Sequence, residues 1–171
     1  MAGELDRRLR LFETVRAIPY ATDGAHDADS LLAAGRGDCL AKSAYLGREF
    51  RRLGYPVRRV RWLYRLPAEP AEVLLLASRE DVHTATEVRI GDRWVLVDAT
   101  YDPPLARAGF TVATWDGHHD TLPAHPPAGP LWRPGDGPEP VSLHPGPGGP
   151  RYREAFNTWL HSVRGPRSPG G

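Results

Sequence analysis

The hydrophobic period of this chain changes from helical to alternating at Gly54-Tyr55-Pro56, and that change separates a helical stretch from a stretch of strands. Before it, Leu5, Leu9, Phe12 and Val15 recur at helical spacing and stop short of Pro19, which predicts an amphipathic helix over 4–17. Residues 27–34 read as a short second helix that Gly35 is placed to stop. Asp38 is positioned to cap a third helix that begins at or beside Cys39 and runs to Leu53. Ala41, Ala44, Tyr45 and Phe50 would line its buried side, and Gly54 followed by Pro56 would end it.

After Pro56 the period is two. Val60, Trp62, Tyr64 and Leu66 alternate with Arg59, Arg61 and Arg65, the pattern of a half-buried strand from which only Leu63 departs. Residues 67–72 form a connection bearing Pro and Glu. Val73-Leu74-Leu75-Leu76 fits a buried strand or a helical turn equally well, because periodicity does not separate the two at that length. Residues 82–90 and 93–100 read as two strands around a Gly91-Asp92 hairpin turn. These elements, over 1–116, are the expected core.

From Gly117 to Pro150 about half the residues are Gly or Pro, with neither alternation nor a helical period. A loop-rich cover is expected there rather than a second domain. Tyr152, Phe156, Trp159, Leu160 and Val163 then predict a C-terminal helix over 151–164 docked on the core, with 165–171 a disordered tail.

The charge balance excludes little but points nowhere unusual. A formal net charge of +1 demands neither nucleic acid nor an anionic membrane as partner. Scattered arginines, with Lys42 the sole lysine, are expected to form a solvated surface. One cysteine excludes an intramolecular disulfide and a Cys-rich zinc site. The first ten residues lack the apolar core of a signal peptide, and no apolar run approaches the roughly 20 residues needed to cross a bilayer. A cytoplasmic location is the resulting expectation.

That single cysteine is also the centre of the chemistry. Cys39 stands in Gly-Asp-Cys-Leu-Ala-Lys, at the predicted start of a helix. A thiolate in a first helical turn faces unpaired backbone N–H groups, which favour the anion and can donate to an oxyanion. Most free cysteines are instead small buried hydrophobes, so its partners decide the matter. With a two-residue turn at Gly91-Asp92, Ile90 pairs with Arg93 and Ala85 falls opposite Asp98. His83 then lies on the same face as Ala85, diagonal to Asp98, within reach of a hydrogen bond. An odd-length loop would put them on opposite faces. Nucleophile, base and orienting carboxylate are thus available in Cys39, His83 and Asp98.

The blocks Gly37-Asp38-Cys39-Leu40-Ala41-Lys42-Ser43-Ala44 through Leu53-Gly54-Tyr55-Pro56-Val57, His83 through Glu87-Val88, and Trp94-Val95-Leu96-Val97-Asp98-Ala99-Thr100 resemble those of the transglutaminase-like superfamily. The resemblance spans roughly residues 30–102. It implies an α+β fold of papain-like arrangement, with a nucleophile helix packed against an antiparallel sheet that carries His and Asp. It implies Cys39 as nucleophile, His83 as general base and then acid, and Asp98 as orienting group. Many members carry an aromatic residue two places after the His, where this chain has Ala85, and the acidic calcium sites of the animal enzymes have no counterpart. The size is similar to that of bacterial and archaeal members, which implies amide hydrolysis or amide exchange through a thioester. A peptide or small-molecule amide is the expected substrate, with an amine as a further acceptor, and no cofactor or metal.

An inactive domain of the same fold, serving as a binding or scaffold module, is the alternative; an arylamine N-acetyltransferase shares the triad but is longer and has a different lead-in to its cysteine. Other residues invite weaker readings. Tyr20 is a packing tyrosine or a donor to an oxyanion. His118, His119, Asp120 and His125 lack fixed ligand spacing for a metal. Trp115 is expected to pack beside a turn, and Asp102, ahead of Pro103-Pro104, to serve a turn rather than replace Asp98.

Overall fold

The computed structural model describes residues 2–65, 80–141 and 150–165. Leu66, residues 67–72, the Val73–Leu76 run and most of the expected tail lie outside the described residues. The elements run α1 (Ala2–Ala17), β1 (Tyr20–Ala25), α2 (Leu31–Ala34), α3 (Cys39–Arg52), β2 (Val57–Arg65), β3 (Glu80–Ile90), β4 (Arg93–Val97), a 3-10 turn (Pro103–Ala108) and α4 (Pro150–Arg164). The fold is α+β.

The three long strands form one antiparallel sheet in the order β2-β3-β4. Ile90 pairs with Arg93 across the two-residue turn, as the sequence predicts. Gly91 supplies the positive φ, 59°, that such a turn requires. Against one face of the sheet lies α3, whose Leu46 and Phe50 meet Val88, Val95 and Val97 in the main core. From α1, Phe12 and Val15 close that core, with Trp115 packed on Phe12 and Phe50.

Three expectations need correction. The second helix is confined to Leu31–Ala34, because Asp27 accepts from the backbone N–H groups of Asp29 and Ser30 and holds a turn ahead of it. On α3, Ala44 is exposed and Tyr45 only half-buried; the buried face instead carries Ala41, Lys42, Leu46, Gly47 and Phe50. The last strand ends at Val97 rather than 100, since Asp98 leaves the ladder to bond elsewhere.

One element was not legible beforehand, and the expected loop-rich cover has a definite place. Residues 20–25 form a short extended segment, β1, held by bridges from Tyr20 and Ala25 to Gly37. A Cβ on Gly37 would lie 2.6 Å from Leu31 Cδ1 and 3.0 Å from the Ala25 carbonyl oxygen, so only glycine permits this approach. The Gly/Pro-rich segment, in turn, covers both free edges of the sheet. Trp132 exchanges two backbone hydrogen bonds with Arg61, and Ala128 donates to Leu63, along β2. Thr121 donates to the Leu96 carbonyl along β4. Exposed strand edges invite intermolecular pairing, and these bonds remove that opportunity.

Candidate active site

Asp38 fixes the start of α3. Its Oδ1 accepts from the Ala41 N–H at 3.0 Å and its carbonyl from the Lys42 N–H at 3.0 Å, which leaves the N–H groups of Cys39 and Leu40 without an acceptor inside the helix. Cys39 occupies the first position of the helix, half-buried, and lines a cleft with a volume of about 370 Å³.

β3 brings His83 to this helix end. Its ring is 1 % exposed, packed on Trp62, the residue paired with it across β2 and β3, and on Tyr64. His83 Nε2 lies 2.9 Å from Asp98 Oδ2, and the imidazole interacts with the neighbouring Cys39 side chain. With Nε2 committed to Asp98, Nδ1 is the nitrogen left for the thiol. Burial opposes a charged imidazole here. The Asp98 carboxylate and the Cys39 contact outweigh it and raise the His83 pKa well above its ordinary value.

Asp98 is over-determined. Oδ2 accepts from His83 and from the Ala124 N–H at 2.8 Å, while Oδ1 accepts from the Thr100 N–H at 3.2 Å and its hydroxyl at 2.6 Å. The Asp98 N–H itself donates to Thr121 Oγ1 at 3.0 Å. Burial alone would push this carboxyl up; the His83 charge and these donors hold it below the usual carboxylate range.

Thr121 and Ala124 carry no signal of this role in the sequence, because both lie far along the chain from Asp98 and Ala124 acts only through its backbone, whereas Thr100 bonds Asp98 locally from two residues away. His125 was legible only as part of a loose His cluster. It is buried, stacked on Tyr64 at 3.8 Å between ring centroids, and its Nε2 lies 2.5 Å from the Tyr101 hydroxyl. Burial, followed by the His83 charge, pushes its pKa down to about 3. The other members point elsewhere: His119 pairs with Asp116, and Asp120 accepts from the Leu96 N–H. No group of three metal-binding side chains occurs among the described residues.

Tyr20 both packs and lines the cleft. Its ring meets Tyr101 edge-on at 4.9 Å, and it borders the same cleft as Cys39. Burial, then the neighbouring Tyr101 and Cys39, raise its pKa, so the phenol keeps its proton. Asp102 has a larger structural role than a turn: it receives a two-pronged bond from Arg164 of α4, both arms 2.7 Å, and the Tyr20 N–H at 2.8 Å.

The sequence model described as the Transglutaminase-like superfamily matches residues 3–99, a span that includes Cys39, His83 and Asp98. This chain belongs to that superfamily. Among solved structures, it is similar to a candidate cysteine protease from Cytophaga hutchinsonii at 20% identity and a TM-score of 0.44. That match covers 58% of this chain and 32% of the other, so the chain spans about a third of that structure's length. No curated protein matches the sequence. Within the described residues, no helix is long and apolar enough to cross a membrane.

Proposed function

We propose that this member of the superfamily cleaves or exchanges an amide through a Cys39 thioester. The observation that carries the reading is the buried His83–Asp98 pair in contact with a half-buried thiol at a helix N-terminus, where the cleft opens. Cys39 Sγ attacks the amide carbon as the thiolate, with its proton already held on His83 Nδ1. The new S–C bond creates an oxyanion, for which the Cys39 N–H and the Tyr20 hydroxyl are the available donors. The C–N bond then breaks, and His83 delivers its proton to the departing amine. In the second half, water or another amine gives a proton to His83 and bonds to the acyl carbon, and the C–S bond breaks to release an acid or a new amide. Asp98 holds the ring and stabilises the imidazolium throughout.

A panel of peptide and small-molecule amides, screened by intact-protein mass spectrometry, tests this. The expected result is an acyl adduct on wild type that is absent from Cys39→Ala and is released by hydroxylamine as the hydroxamate. A wild-type protein that forms no adduct, and turns over none of the amides, would favour the inactive binding module instead.

A further inference from the structure

The charged side chains around Cys39 divide into those already satisfied and those that are not. Asp38 is satisfied on both oxygens, by the Ala41 N–H and by His26 Nδ1 at 2.5 Å. Arg61 is ion-paired with Glu139 and donates from Nε to Thr84 Oγ1 at 3.1 Å. Two opposite charges in the cleft remain. Asp81 accepts from the Val82 N–H at 2.8 Å and feels the charges of His83 and Arg61 at longer range, but among the described residues no cation stands within ion-pair distance of it. Arg153, in the first turns of α4, has no hydrogen bond or ion pair from its guanidinium among the described residues. Both are half-buried.

We propose that this cleft selects zwitterionic amides, with an ammonium on the amine side set against Asp81 and a carboxylate on the acyl side set against Arg153. The inference rests on the acyl-transfer reading of the same cleft. The orientation follows from β3: Asp81 precedes His83 by two residues and so shares its face of the strand. The nitrogen that receives the His83 proton therefore leaves along the Asp81 side, and α4 is left to hold the acyl portion. An unpaired charge in a half-buried cleft attracts its counter-charge more strongly than one on an open surface. Amino-acid-derived and peptide-like amides meet this description, and in the exchange reaction so does an acceptor amine with a second, cationic nitrogen. Leu40, Val82 and Val141 supply the apolar wall between.

Three methanethiosulfonate reagents with neutral methyl, trimethylammonioethyl and sulfonatoethyl tails test the charges without knowledge of the substrate. Each forms a disulfide with Cys39 and releases methanesulfinate, so their rates differ only through the tail. At low salt, Asp81→Asn is expected to lower the cationic-to-neutral rate ratio about three- to tenfold, and Arg153→Gln the anionic-to-neutral ratio by a similar factor. Asp81→Glu and Arg153→Lys, which keep the charge, should keep the ratios, and the neutral reagent controls for a damaged fold. Ratios that ignore both neutralising substitutions, while the neutral reagent still labels Cys39, would overturn the inference and leave the acyl-transfer reading standing. A wild-type Cys39 that reacts with none of the three would end both.

Discussion

Asp98 accepts four hydrogen bonds in a site that is almost fully buried, and the Thr100 hydroxyl makes the shortest of them at 2.6 Å. Valine has nearly the shape of threonine but no donor, so Thr100→Val isolates that bond. A hydrogen bond to a buried charge contributes about 1.5–3 kcal/mol, and urea unfolding should show a loss of that order. The ion pair with His83 predicts a characteristic pH dependence. The raised His83 pKa gives stability that is fully present below about 6.5 and is lost as pH rises through the folded value. The lowered Asp98 pKa gives stability present above about 3.9 and lost as pH falls through its folded value. Asp98→Asn breaks the pair and strands a buried imidazole, at a cost of about 3–5 kcal/mol near pH 6. The gap between wild type and Asp98→Asn in denaturant titrations should therefore be widest near pH 6 and narrow steadily towards pH 10. A gap that widens with pH would mean the imidazole is neutral in the folded state.

At the scale of elements, Lys42 plays a part that no local signal in the sequence announces. It lies one turn into α3, 1 % exposed, and Nζ donates to the carbonyls of Ile18 and Thr100 at 2.6 Å and of Arg16 at 3.3 Å. One side chain thus ties the end of α1, the Cys39 helix and the segment just after Asp98 together. Burial, eased by Asp102 and Asp98, lowers its pKa to about 7. Lys42→Met keeps the volume but leaves those carbonyls unsatisfied. Each buried orphan costs about 1–3 kcal/mol, so thermal unfolding should fall by several degrees or more. What the sequence showed and what it hid divide along the same line. The Cys39 helix, the Gly91-Asp92 turn and the His83–Asp98 register were legible because period and turn chemistry are local signals. The burial of Lys42, the bridges of β1 to Gly37 and the donors from Thr121 and Ala124 were not, because each is decided by where a distant segment lands. Ala44 misled because a small apolar residue has no strong preference between core and surface.

Across the whole molecule, the termini and the loop-rich segment are wired into the same centre. The Gly/Pro-rich segment covers both sheet edges and sends Ala124 to Asp98, so it is part of the site's frame. α4 buries Tyr152, Phe156 and Leu160 against Tyr20, Tyr101 and Phe110, and Arg164 locks it to the buried Asp102 and to the Tyr20 carbonyl. Arg164→Gln leaves the Asp102 carboxylate without its counter-charge, and a loss of about 3–5 kcal/mol is expected by chemical denaturation. Because Tyr20 is held at both its N–H and its carbonyl by this lock, the same variant should also disturb the cleft wall beside Cys39.

The proposed chemistry turns on whether His83 makes Cys39 a nucleophile. The direct measurement is the rate of Cys39 alkylation by iodoacetamide against pH, followed by intact-protein mass spectrometry in wild type and His83→Ala. Wild type is predicted to react readily near neutral pH, and His83→Ala to be slower there by about a hundredfold, the scale of a positioned base. Superimposable profiles for the two proteins would contradict the account, for they would leave His83 with no part in the chemistry of the thiol.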